Sequence, residues 1–164
     1  HLVMLLGTTA GNADLEGTLG GFRDQSSRVA CVVNQYGPTD FVDIEGANDA
    51  AKGMVAKLLG GRPSEVPEAA RAASPLAHVT KDDAPLICIH GTADALVPYS
   101  QSTKIDKACE QAGVECLVLT IPEGGHGGFR NPEVVTRTKQ FLDKHLRGRD
   151  ATISEEPIPA VPGK

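Results

Sequence analysis

Short apolar runs alternate with polar, glycine-containing links along this chain, and three of the runs read as buried strands. RVACVVNQY (28–36), PLICIH (85–90) and VECLVLTI (114–121) are continuous and rich in β-branched residues. That is the pattern of parallel strands covered on both faces. Elsewhere the apolar positions fall at helical intervals. Ile105, Ala108, Cys109 and Ala112 share one face of a predicted helix over 99–112, which Gly113 caps. Val134, Val135, Thr138, Phe141, Leu142 and Leu146 form the stripe of another over 132–146, with Asn131 as its cap. Residues 47–59 and 64–73 carry two more helices. The first closes at Gly60-Gly61; the second opens on Ser64, with Pro67 in its first turn. Residues 1–6 (HLVMLL) are apolar nearly all round, so a helix there is expected to be buried on most sides and to stop at Gly7. Strands and helices alternating with short links predict an α/β fold: three layers, a mostly parallel sheet with helices on both faces.

The intervening segments complete the outline. Residues 8–28 are rich in Gly, Thr, Asn, Asp and Ser and read as loop. Residues 41–77 form a helical excursion over the sheet, of the kind that shapes a pocket or simply adds cover. From 147 the helical pattern ends in RGRDATISEEPIPAVPGK, which reads as an extended or flexible tail. The expected organisation is one partial domain over 1–146 and a Pro/Gly-rich tail over 147–164.

Composition narrows the partners. At 164 residues with 40% hydrophobic and 23% charged positions, the chain has the make-up of one water-soluble globular domain. A net charge of −5 provides no basic patch, which argues against nucleic acid as a partner. The apolar runs reach only about six residues, far short of the roughly 20 that span a bilayer. Cys31, Cys88, Cys109 and Cys116 form no C-x-x-C and no zinc spacing with histidine, so no metal site is expected. Cys31 and Cys88 lie within strand runs and read as buried thiols. Cys109 and Cys116 flank a helix-to-strand turn, and spacing alone admits either thiols or a disulfide. The compartment stays open.

Candidate chemistry lies in two loops, HGTADALVP (90–98) and PEGGHGGF (122–129), each directly after a strand run. Parallel sheets place functional loops at the carboxyl ends of their strands. Asp94 and His126 both fall there. Alone, such an aspartate is commonly a turn former, and a histidine among glycines is commonly just exposed. On successive strand ends, in the order acid then histidine, they form two thirds of a Ser-His-Asp triad. Gly124, Gly125, Gly127 and Gly128 around His126 leave its imidazole room to reach a nucleophile. His90 reads as a structural group at the floor of the site. His78 and His145 have no supporting context. No G-x-S-x-G occurs, and none of Ser26, Ser27, Ser64, Ser74, Ser100, Ser102 or Ser154 lies in a strand–turn–helix elbow.

SPLAHVTKDDAPLICIHGTADALVPYSQS (74–102) and VLTIPEGGHGGF (118–129) resemble the esterase/lipase branch of the α/β-hydrolase superfamily. VNQYGPTDF (33–41) is similar to the Y-G-P-T-D segment of bacterial carboxylesterases grouped with feruloyl and acetylxylan esterases. The resemblance covers about residues 1–146. It implies that the chain is the C-terminal half of an α/β-hydrolase, with Asp94 as triad acid and His126 as triad base. It also places the serine about four positions before His1, in a G-x-S-A-G-G-H elbow that these residues continue.

The resemblance implies a serine carboxylester hydrolase acting on a small-molecule ester, with no metal or organic cofactor. A prolyl-oligopeptidase-type serine peptidase shares similar loops, and YGPTDF with the compact 41–77 excursion favours the esterase. A third possibility is a catalytically incomplete fragment with an assembly role. In this fold the strand at 28–36 would pair with the strand that carries the elbow. Its free edge, and the helix at 1–6, are therefore expected to be covered by the N-terminal half of the same enzyme or by a second copy of the chain.

Overall fold

A computed structural model describes residues 1–22, 24–127 and 129–161. Three strands form a parallel sheet in the order β1-β2-β3, with β1 at Val32–Gln35, β2 at Leu86–Gly91 and β3 at Cys116–Ile121. Val32 lies beside Leu86, and Leu86 beside Cys116. All six residues of β2 are buried, which accounts for the unbroken apolar run of the central strand.

Successive side chains of a strand point to opposite faces, so the sheet has two cores. Leu86 and Cys88 join Met4, Val32, Ile105, Cys109, Val114 and Val118 on one face. Ile87 and Ile89 join Leu119, Ile121, Val134, Phe141 and Ile158 on the other. Helix α1 (Leu2–Thr8) and helix α5 (Ser100–Ala112) cover the first face; α6 (Pro132–Arg147) covers the second. The three-layer α/β architecture read from the sequence is the observed one. Between them lie α2 (Ala13–Glu16), α3 (Asp49–Leu59), α4 (Pro67–Ala72) and a 3-10 turn at Pro75–His78.

Several boundaries follow local chemistry. Asn48 and Asn131 cap α3 and α6 by accepting from the amides of Ala51 and Glu133. Gly60 and Gly113 end α3 and α5 in the left-handed region, at φ of 80° and 75°. Ser64 does not cap a helix: α4 begins at Pro67 after Val66, with no side-chain cap. Nor does Gly7 end α1, which runs through it to Thr8. A Cβ on Gly7 would lie 2.4 Å from Cγ2 of Val32, so glycine here lets α1 approach β1.

Helix α1 also departs from the expectation of burial on most sides. Met4 is fully buried, while Leu2, Val3 and Leu6 are 74%, 50% and 45% exposed. One face packs on β1 and the 3-10 turn, and nothing among the described residues covers the opposite face. Among the described residues, β1 is bonded only to β2 and forms one edge of the sheet.

The segment after α6 differs from a loose tail over its described part. Ile158 is completely buried in the α6-side core, and its amide donates to the carbonyl of Thr120 on β3 at 2.9 Å. Arg137 of α6 donates to the carbonyls of Ser154 and Glu156 at 2.8 and 2.6 Å. An extended strap held by Ile158 and the half-buried Ile153 lacks periodicity, so its docking left no signal in the pattern. Residues 162–164 lie outside the described set. All four cysteines are free; Cys88 and Cys109 are buried, and Cys31 and Cys116 half-buried.

Candidate active site

The loop after β2 folds around Asp94. Its Oδ1 accepts from the amides of Leu96 and Val97, both at 2.9 Å, closing a tight Asx turn. That leaves Oδ2 free to accept from Nδ1 of His126 at 2.8 Å. The carboxylate can only accept, so His126 carries its neutral-form proton on Nδ1 and its Nε2 is left with a lone pair. Asp94 is buried, whereas the His126 side chain is 33% exposed. Burial is the largest influence on the Asp94 carboxyl and pushes it upward. The Val97 amide, His126 and the Leu96 amide together outweigh it, so the group sits below the usual aspartate value and stays ionised.

Backbone contacts hold the two loops in register. The amide of Thr92 donates to Ile121 O at 3.0 Å and that of Ala93 to Gly124 O at 2.9 Å. Glu123 N donates to Thr92 Oγ1 at 2.9 Å. Gly91 is obligatory for this approach: a Cβ there would stand 2.1 Å from Gly124 O. The glycine of the H-G signature is thus explained by one loop lying against the other, whereas a Cβ on Gly124 would meet Ile121 just before it and one on Gly125 would meet nothing. Gly128 lies outside the described residues.

His90, at the end of β2, lies beneath the pair. Its Nε2 donates to Val97 O at 2.9 Å and lies 3.3 Å from Asp94 Oδ2. Its Nδ1 accepts from the Ser102 hydroxyl at 2.7 Å. Burial pushes the His90 imidazole below its ordinary value, against the Val97 carbonyl and Asp94, which raise it. The ring is therefore neutral at pH 7 and braces Asp94 as a hydrogen-bond donor. The structural reading of His90 stands, and its link to Ser102 commits that hydroxyl away from His126. Among the described residues, no serine hydroxyl is hydrogen-bonded to His126.

Two groups gained a role only in three dimensions. Tyr36, at the end of β1, has φ of +45°, in the left-handed region. Its ring meets His126 edge-on at 4.5 Å and Phe129 at 5.6 Å between centroids. Gln101 clamps the Gly37–Asp43 stretch: its Oε1 accepts from Thr39 N and Asp40 N at 2.9 and 2.7 Å, and its Nε2 donates to Asp43 O at 3.0 Å. The Y-G-P-T-D motif marked this segment, but nothing near VPYSQS signalled that a glutamine would hold it. A cavity of about 260 Å³ opens beside His126, between the loops and α3.

The sequence profile of the BD-FAE family matches residues 1–109. The chain belongs to the BD-FAE family. Over 152 residues it is 29% identical to the probable carboxylic ester hydrolase LipM of Mycobacterium tuberculosis, covering 86% of this chain and 34% of LipM. Among solved structures it is similar to a truncated form of a carbohydrate esterase from gut microbiota, with 34% identity and a TM-score of 0.68 over 77% of this chain and 48% of that one. It is also similar to a bifunctional GH43-CE protein of Bacteroides eggerthii, with 33% identity and a TM-score of 0.74 over 90% of this chain and 22% of that one. The BD-FAE chain thus spans about a third of the length of LipM and about half of the carbohydrate esterase. Its fold is that of a partial α/β-hydrolase, as the sequence motifs implied.

Among the described residues, no cluster of His, Cys, Asp and Glu could hold a metal ion. No described helix is long and apolar enough to cross a membrane.

Proposed function

We propose that this chain supplies the acid and the base of a Ser-His-Asp carboxylic ester hydrolase, with Asp94 orienting His126 and a serine contributed from outside the 164 residues. The observation that carries the reading is the 2.8 Å bond from His126 Nδ1 to Asp94 Oδ2, at the carboxyl ends of adjacent parallel strands. The family, and relatives named as esterases, support the same chemistry.

In this mechanism His126 Nε2 accepts the serine proton as the hydroxyl attacks the ester carbonyl. His126 then returns a proton to the leaving alcohol. Ionised Asp94 holds the Nδ1–H tautomer and stabilises the imidazolium formed in between. His90, Tyr36 and the Leu96 and Val97 amides fix the pair, so the base needs little reorganisation. The polypeptide that brings the serine would also cover Leu2, Val3, Leu6 and the free edge of β1, either as the preceding half of the same enzyme or as another chain.

The test is hydrolysis of 4-nitrophenyl butyrate by the complete gene product and by residues 1–164 alone. In the complete product, His126→Ala is expected to lower kcat by about four orders of magnitude or more. Residues 1–164 alone should show no turnover. Full activity in the His126→Ala variant would remove the base assignment. Turnover by the isolated chain that His126→Ala abolishes would place the nucleophile within it.

A further inference from the structure

The cavity beside His126 has a one-sided chemistry. Phe41, Ile44, Met54, Val55, Leu58 and Leu96 form most of its wall, several of them from one face of α3. Most of its polar side-chain atoms are already committed, His126 Nε2 apart. Both polar atoms of Gln101 are held by the Thr39, Asp40 and Asp43 backbone. His1 Nε2 is bonded to Ala73 O at 2.7 Å. His126 Nδ1 is bonded to Asp94. A ligand entering past His126 therefore meets hydrocarbon and few available side-chain hydrogen-bond partners. A sugar placed there would lose its hydrogen bonds to water without replacement, at a cost for each hydroxyl. The groove, about 260 Å³ and partly open to solvent, has room for an alkyl chain of several carbons.

We propose that the α3 pocket binds a medium-length aliphatic arm of the ester, so that this site selects an alkyl ester and does not seat a sugar ring there. The inference rests on the catalytic reading of His126 for its connection to esters. The pocket's preference is a separate, binding-level claim. It assigns a specificity role to the 41–77 excursion: α3 is one wall of the substrate site, and Met54, Val55 and Leu58 set its depth.

The chain contains two methionines, Met4 and Met54. Met4 is fully buried against the sheet, and Met54 lines the pocket. Methyl-labelled methionine thus provides a reporter and an internal control in one NMR spectrum. The probes are 2-butanone, 2-hexanone, 2-octanone and methyl β-D-xyloside, all uncharged and unhydrolysable. We expect 2-octanone to shift the Met54 methyl and the His126 ring to saturation while Met4 stays fixed. Affinity should rise about fourfold per added methylene, the equivalent of about 0.8 kcal/mol for a buried CH₂. Val55→Asn should weaken 2-octanone binding about tenfold. The more exposed Leu58→Asn gives the same readout if the first variant fails to fold.

An affinity independent of chain length would overturn the proposal, as would equal or stronger shifts from the xyloside. So would a Met54 shift that follows protein concentration and not ketone, since the pocket would then be a contact between chains. The two claims also separate. Chain-length-dependent binding with turnover unaffected by His126→Ala leaves the pocket standing and removes the catalytic reading. Loss of turnover in His126→Ala without ketone binding does the reverse.

Discussion

Replacing Gly91 with alanine tests the idea that the two loops are held by backbone contact. The added Cβ would lie 2.1 Å from Gly124 O, 2.4 Å from its carbonyl carbon and 2.7 Å from Gly125 O. Ordinary contact begins at about 3.4 Å, so the end of β2 and the loop after β3 must part by more than an ångström. The obstacles are backbone atoms of a constrained loop, and no side-chain rotation relieves them. Overpacking of this kind costs about 1–3 kcal/mol. Separation also breaks the Ala93 N to Gly124 O bond, for about 1 kcal/mol more. The expected loss is about 3 kcal/mol, or roughly 10 °C in melting temperature for a domain of this size. Urea denaturation measures it as a lowered midpoint with unchanged slope. Because Asp94 and His126 ride on the parting segments, the His126 Nδ1 proton should lose its NMR signature of a bond to carboxylate. With the proposed serine supplied, a 1 Å misplacement predicts about a hundredfold loss of the proposed activity. Stability within about 0.5 kcal/mol of wild type, the range of neutral surface changes, together with an intact Asp94–His126 bond, would refute the reasoning.

Other perturbations follow from the same geometry. His90 is held neutral in the fold while an unfolded histidine titrates near 6.5, so the unfolded chain binds the extra proton as pH falls. Stability should therefore fall below about pH 6.5, by at most about 1.4 kcal/mol per pH unit from this group; His90→Gln should remove that part of the slope in pH-dependent urea melts. The depressed Asp94 contributes stability that is lost only at more acid pH, below the ordinary aspartate value near 3.9. Gln101→Ala leaves the Thr39 and Asp40 amides without their acceptor and should cost about 2–4 kcal/mol by calorimetry. Ile158→Ala should cost about 2–4 kcal/mol and expose the segment after α6 to limited proteolysis, since this fully buried side chain anchors it.

Much of the site was legible because it is built from short-range signals. Asp94 and His126 follow strands whose apolar runs are unmistakable, and parallel connection alone puts both loops at one edge of the sheet. What each residue touches was less legible. Tyr36 carried no sign that its ring would stand against a histidine ninety positions away in sequence. The Gln101 clamp and the docking of Ile158 depend on single side chains meeting distant backbone, and one residue has no period to detect. Gly7 looked like a helix stop because glycine favours both helix ends and close packing; only Val32 opposite it distinguishes the two.

The sequence by itself determined the α/β class, the parallel strands, the helix caps at Asn131 and Gly113, and the pair of residues to inspect. Tertiary structure alone decided that Oδ2 of Asp94 faces His126, that His90 braces it from below, and that α3 presents hydrocarbon to the same cavity. The division has a physical origin. Periodicity and capping are written in neighbours a few positions apart, whereas tautomers, pocket walls and loop contacts depend on how separate elements pack, to within an ångström.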